Sequence, residues 1–344
     1  MMRGNNIFSQ SMQEHQWQFF TSSESAWEEL IRACESATQS IDLEEYVFGM
    51  GGAVEKRFTD LFVEKAAAGV KVRMLLDAVG SFSFYRCADY DRLEKAGVEI
   101  HYHFAVLSPS IRRLLPFILR DHRKLVVVDN TAGYIGGVII QERAREWRDS
   151  LVRIEGQVVK DMQEAFEKVW KRTEKMKPVG QVRSENEHKE FWIAGNSFHL
   201  RDKDLYRAFL RAITSAKKTI HITTPYFFPN QEFLRALFFA RERGVEIKIL
   251  LPKISDNKIA DFLAKFYYPR LRKHGVRIFF YTKKVLHAKT MVIDGNWSTI
   301  GSCNFDLLSF WWNYELNLMS SNTSFAQELE QQFTRDLEDS TEHP

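Results

Sequence analysis

Two histidine–lysine pairs carry the chemistry that the sequence offers. "DHRKLVVVD" sets His122 two residues before Lys124 and closes on Asp129; "LHAKTMVID" repeats the same offsets with His287, Lys289 and Asp294. An isolated His-x-Lys is a weak signal, but two copies in register are a strong one. Strand residues two apart point to the same face and lie ~6.6 Å apart along the chain. An imidazole nitrogen and an ammonium so placed can address one phosphate. Asp129 and Asp294 stand an odd number of residues from their histidines, so a regular pleat turns them away. They are expected to fix a strand end or turn. Asp149 in "EWRDSLVRIEG" and Glu315 in "NYELNL" are carboxylates able to accept from a far ring nitrogen, setting its tautomer and stabilising an imidazolium. Ion pairing with Arg148 and a nearby lysine is the plainer alternative for them.

The elements that must position these groups come twice. "SIDLEEYVF" and "TIHITTPYFF" are strand-like runs, each followed by a helical pattern that stops at Gly69 or Gly244, as a left-handed C-terminal cap requires. "VKVRMLLD" and "VEIKILLP" follow, then "LEKAGVEIHYH" and "LRKHGVRIFFY", and last the two histidine motifs. Strands alternating with helices predict an α/β fold of two homologous halves, each a mostly parallel mixed sheet flanked by helices, related by a pseudo-two-fold. The polar stretch around Pro178 and Gly180 predicts halves at 1–175 and 191–344 joined by a linker at 176–190.

Composition narrows the class. With 344 residues, 44% hydrophobic and 27% charged, the chain can bury a sizeable core. The net charge of +3 is too small to predict a nucleic-acid partner, although Arg112, Arg113, Arg120, Arg123 and Lys124 form one basic cluster and Arg270, Arg272, Lys273, Lys283 and Lys284 another. Cys34, Cys87 and Cys303 form neither a disulfide framework nor a zinc spacing, and a reducing compartment is expected. No window reaches the roughly 18 apolar residues of a spanning helix. Membrane contact is therefore expected to be peripheral, on the cytoplasmic face of the cell membrane.

The paired motifs resemble those of the phospholipase D superfamily, over roughly Ser40 to Leu318. "HAKTMVIDGNWSTIGSCNFD" matches the second signature of that family, including Gly301, Ser302, Asn304 and Asp306. "HRKLVVVDNTAGYIGG", "WRDSLVRIEG", "TTPYFFP" and "ELNL" look most like bacterial cardiolipin synthases. The resemblance implies a two-step phosphodiester exchange without metal or other cofactor. One histidine would form a phosphohistidine and the other would act as acid and base, with His122 as nucleophile and His287 as the proton carrier by analogy. Lys124, Lys289, Asn304 and Ser302 would hold phosphate oxygens or orient the histidines, and Asp129 and Asp294 complete the catalytic motif. The implied partners are anionic phospholipids, phosphatidylglycerol and cardiolipin.

Two features depart from the family pattern. Seventeen residues past His122, where the family carries asparagine, stands Ile139, which cannot donate to a phosphate oxygen; Gln141 is a candidate substitute. The phosphate is then expected to be held mainly from the second half. The first half also carries thirteen extra residues before His122, including "AVLSPSIRRLLPFILR", readable as a membrane-surface segment over 105–120 or as a lid with snorkelling arginines. Trp311 and Trp312 raise the same choice between core and membrane interface, and read more readily as core or pocket wall. Three functions stay open: a phosphatidyltransferase, a hydrolase of phospholipid or nucleic acid, and a non-catalytic protein that kept the fold. A duplicated chain argues against the nuclease, whose relatives are often single halves that dimerise.

Overall fold

The computed structural model describes residues 15–103, 120–175, 189–197 and 202–344. The segment expected at a membrane or lid falls, but for Arg120, outside them, as does most of the 176–190 linker.

The first half runs β1 (Trp17–Phe20), α1 (Ser23–Ser36), β2 (Ser40–Glu45), α2 (Ala53–Ala67), β3 (Lys71–Asp77), α3 (Ala88–Lys95), β4 (Glu99–His103), β5 (Leu125–Val128), β6 (Ala132–Gly136), β7 (Leu151–Glu155) and α4 (Val158–Lys175). The second half opens with β8 (Phe191–Ser197), β9 (Asp202–Lys203), α5 (Asp204–Ser215), β10 (Thr219–Thr223), β11 (Phe227–Phe228), α6 (Gln231–Glu242) and β12 (Glu246–Pro252). It continues through α7 (Lys258–Lys265), α8 (Tyr268–Lys273), β13 (Arg277–Tyr281), β14 (Thr290–Ile293) and β15 (Trp297–Gly301). It ends with β16 (Phe305–Asp306), α9 (Leu307–Trp311), β17 (Glu315–Ser320), α10 (Thr323–Glu338) and β18 (Ser340–Glu342).

The two sheets share one strand order. The first is β1-β7-β6-β5-β2-β3-β4, and the second reads β8-β17-β15-β14-β10-β12-β13 with β9 and β18 added at its edges. Two duplicated α/β halves are thus present. The balance of pairing is corrected: only β2-β3-β4 and β10-β12-β13 run parallel, and every other pair in these sheets is antiparallel. Helices returning the chain make the parallel part. Between each motif strand and the next no helix intervenes, so β5-β6 and β14-β15 turn back as hairpins.

The helix stops follow the glycines. Gly69 and Gly244 take φ of +88° and +90°, and the residue after each donates back into the last turn, Val70 to Lys65 and Val245 to Ala240. A core shared by both halves lies between the sheets. Leu125, Val127 and Val152 of the first meet Val292, Ile300 and Leu316 of the second. Trp311 packs beside Tyr206, ring centroids 5.7 Å apart, against the second core, as core or wall.

Candidate active site

Each histidine sits just before a central strand, β5 or β14, at the junction of the halves, and each is tied to the opposite half. The His122 N–H donates to the Tyr314 carbonyl (3.0 Å), and the Tyr314 N–H donates to the Arg120 carbonyl (2.8 Å). The mirror arrangement holds His287: its N–H donates to the Arg148 carbonyl, and the Arg148 N–H donates to the Val285 carbonyl, both at 2.8 Å. Tyr314 and Arg148 immediately precede Glu315 and Asp149. The backbone therefore delivers each carboxylate to the histidine of the other half.

The side chains complete the exchange. His122 Nδ1 lies 3.1 Å from both carboxylate oxygens of Glu315, and His287 Nδ1 lies 2.7 Å from Asp149 Oδ2. An ionised carboxylate only accepts, so Nδ1 carries the proton and Nε2 presents its lone pair elsewhere. Lys124 Nζ donates to its own half's His122 carbonyl at 2.7 Å, and Lys289 does likewise to the carbonyl of His287. The ion-pair alternative for the two carboxylates gives way to the imidazoles. Arg148 instead pairs with Asp336 of α10, at 2.9 and 2.6 Å.

The carboxylates differ in how far their charge is shared. Glu315 also accepts from Ser302 Oγ (2.5 Å) and Asn313 Nδ2 (3.4 Å). Asp149 accepts otherwise from the Ser150 N–H, at 2.7 Å. The difference traces to two residue pairs, Trp147 against Asn313 and Gly137 against Ser302. Gly137 stands where the second half has Ser302, and a Cβ there would come within 2.3 Å of Asp149 Oδ1.

His122 and His287 both line a cavity of about 390 Å³, with Tyr46, Ile139, Trp147, Tyr226 and Asn304 among its walls. Burial pushes His122 down to about 4 against the pull of Glu315, and pushes His287 down as well. Burial would raise both carboxylates, but the facing histidines and lysines hold them below their ordinary values. Lys289 is lowered to about 7 by burial, with Lys124 adding repulsion; Lys124 is lowered too, again by burial first. Burial thus favours neutral imidazoles beside the two carboxylates and weakens the hold of both lysines on their protons, and an added anion would favour the charged form of each lysine.

Asn304 reaches the cavity wall with its Oδ1 buried and unpartnered. Ile139 lines the cavity at the matching position, and its carbonyl accepts from Trp27 Nε1 at 2.9 Å. Gln141 is not among the lining residues; its Cγ lies beside Gly49 instead, so it does not replace the absent asparagine. Asp129 and Asp294, expected to complete the catalytic motif, stand away from the cavity. Both fall at the far end of the strand from their histidine, in tight turns with φ of 51° and 55°. Asp129 accepts from the N–H groups of Thr38, Gln39 and Ser40, and Asp294 from those of Lys217, Lys218 and Thr219.

The sequence reading missed Tyr46, Trp147, Tyr226 and Asn313. The Tyr46 ring lies 4.8 Å from His122 and the Trp147 ring 5.0 Å from His287. Trp147 and Asn313 both stand two residues before the carboxylates, a spacing the repeat made readable. Asp306 caps α9 and is pushed up to about 7 by burial.

The profile of the family described as cardiolipin synthase, PLD-like domain, matches residues 30–170 and 209–337. The chain belongs to the phospholipase D-like family of cardiolipin synthases. Within this family it is 29% identical to a cardiolipin synthase of Clostridium perfringens (strain SM101 / Type A) over 98% of its length, and 33% identical to one of Geobacillus sp. (strain WCH70) over 93%. It spans 73% and 66% of those proteins' own lengths. The phospholipase D-like fold is shared with the phosphatidylserine synthase of Haemophilus influenzae Rd KW20, at a TM-score of 0.72 and 12% identity, covering 95% of this chain and 87% of that one. It is shared too with the polyphosphate kinase of Porphyromonas gingivalis, at 0.64 and 11%, covering 96% and 48%. Among the described residues no helix is long and apolar enough to cross a membrane.

Proposed function

We propose that the chain transfers a phosphatidyl group from one phosphatidylglycerol to the hydroxyl of another, giving cardiolipin and glycerol. The observation that carries this reading is the crossed pairing of His122 with Glu315 and His287 with Asp149 above one cavity. His122 Nε2 attacks phosphorus, and the P–O bond to glycerol breaks as His287 Nε2 gives that oxygen a proton. The second lipid's hydroxyl then returns a proton to His287 and attacks the phosphohistidine, freeing His122.

The order of roles rests on charge sharing. Asp149 gives its negative charge to His287 with one competing donor, whereas Glu315 divides its charge among three side chains. His287 is therefore the better-stabilised imidazolium, and His122 the better neutral nucleophile. An incoming phosphodiester anion would raise His287 into its acid form while Lys124 and Lys289 neutralise its oxygens. Asn304 supports the grip from the second half, with Ile139 opposite it.

Hydrolysis shares the first step and differs in whether water or an alcohol enters. Incubation with phosphatidylglycerol vesicles and a chelator separates the outcomes. Cardiolipin with free glycerol supports transfer, and phosphatidic acid alone assigns a hydrolase. Cleavage of single-stranded DNA without lipid turnover removes the lipid reading.

A further inference from the structure

Helix α7 is built inside out. A surface helix ordinarily turns its large apolar stripe toward the core. Here Ala260 and Ala264 face the protein and are buried, while Ile259, Phe262, Leu263 and Phe266 face outward. Their spacing of three, four and seven residues makes one continuous ridge along the helix and its C-cap. Their exposures are 74%, 60%, 40% and 67%, and nearby Ile254 is 49% exposed. Phe262 and Phe266 meet edge to face with centroids 5.1 Å apart, so the two rings of the ridge pack on each other. Such a cluster on one short element marks an interaction surface.

Position and charge identify its partner. Asn257 caps the helix, and Asn257 and Ala260 line the cavity that holds both histidines. Leu308, 43% exposed, lines the same cavity, and its exposed neighbour Leu307 extends the apolar rim. Exposed Lys253, Lys258 and Lys265 flank the ridge. We infer that α7 inserts its outward ridge into an anionic phospholipid bilayer, seating the mouth of the catalytic cavity on the membrane surface. Ile259, Phe262 and Phe266 enter the boundary between headgroups and acyl chains, and the lysines meet lipid phosphates. A lipid can then bring its headgroup to His122 and His287 while its acyl chains stay in the bilayer. This rests on the lipid reading of the site.

The test uses the full chain, wild type and Phe262→Ser/Phe266→Ser, sedimented with phosphatidylglycerol or phosphatidylcholine vesicles. Removing two inserted rings is expected to weaken binding to phosphatidylglycerol vesicles by at least about tenfold. Turnover of monomeric short-chain phosphatidylglycerol should stay within about twofold, because both rings are exposed and outside the cavity. A Phe262→Trp variant should show a blue-shifted emission with phosphatidylglycerol vesicles. Unchanged vesicle binding and unshifted emission would overturn the inference. So would a wild-type dimer that the double variant dissolves without losing vesicle binding, which would make a second copy the occupant. Absence of short-chain turnover in the wild type counts against the proposed transfer instead, and leaves α7 to be judged by binding and emission.

Discussion

Asp149 Oδ2 lies 2.7 Å from His287 Nδ1, although the two residues belong to different halves of the chain. Removing that charge while keeping the shape tests its use. Asp149→Asn is expected to lower kcat by roughly 10³–10⁴-fold, as a misassigned tautomer does in other histidine–carboxylate pairs. Glu315→Gln should cost less, since Ser302 and Asn313 keep the side chain in place. Steady-state rates on phosphatidylglycerol vesicles, with melting curves as a control for folding, read both. Equal losses would remove the division of roles between the histidines.

Lys289 supplies the pH dependence. Its ammonium is lowered to about 7, so in the free protein it loses its proton as pH rises through neutrality. The value of kcat/KM should therefore fall on the alkaline side with an apparent pKa near 7. A bound phosphodiester favours the charged form, so the alkaline limb of kcat should lie at higher pH than that of kcat/KM. Coincident limbs would mean that Lys289 does not meet the phosphate.

Arg148 and Asp336 form a buried two-pronged ion pair beneath the backbone that carries His287. Asp336→Asn leaves the guanidinium short of its counter-charge and should cost about 3–5 kcal/mol of stability. Arg148→Met combined with Asp336→Leu should recover much of that loss. Denaturant titration of the single and double variants gives the coupling; simple additivity would deny the pair a joint role.

Asp129 should behave as a turn residue. Burial would raise its carboxyl, but the backbone N–H groups of residues 38–40 outweigh this and hold it low. Asp129→Ala is expected to cost about 1–3 kcal/mol of stability. Its kcat at a temperature where both proteins are folded should match the wild type. A loss of rate as large as that of Lys124→Met would return Asp129 to the chemistry.

The site was legible where a repeat doubled a weak signal. His122 and Lys124 acquired meaning from His287 and Lys289, and the apolar runs around them announced the strands. The pairing of Asp149 with His287 and of Glu315 with His122 was not legible, because it depends on which edge of each half meets the other. Spacing along one strand cannot report contacts across a junction. The excess of antiparallel pairs escaped for a related reason: β5 and β14 look like any buried strand, and nothing in their own residues fixes their direction against β2 and β10. The outward ridge of α7 escaped because its apolar period reads as an ordinary core-facing helix, and only the fold shows that the alanines face in.

The exchange of carboxylates has a consequence for how the molecule comes into being. Glu315 opens β17, 193 residues after His122 in the chain, and the His122 N–H has its acceptor in Tyr314 just before it. A nascent chain that has finished only its first half holds His122 beside Tyr46 but without the carboxylate that pairs with its Nδ1. Neither half can complete a histidine–carboxylate pair by itself, so the two pairs form only after β17 has been made and docked on the first half.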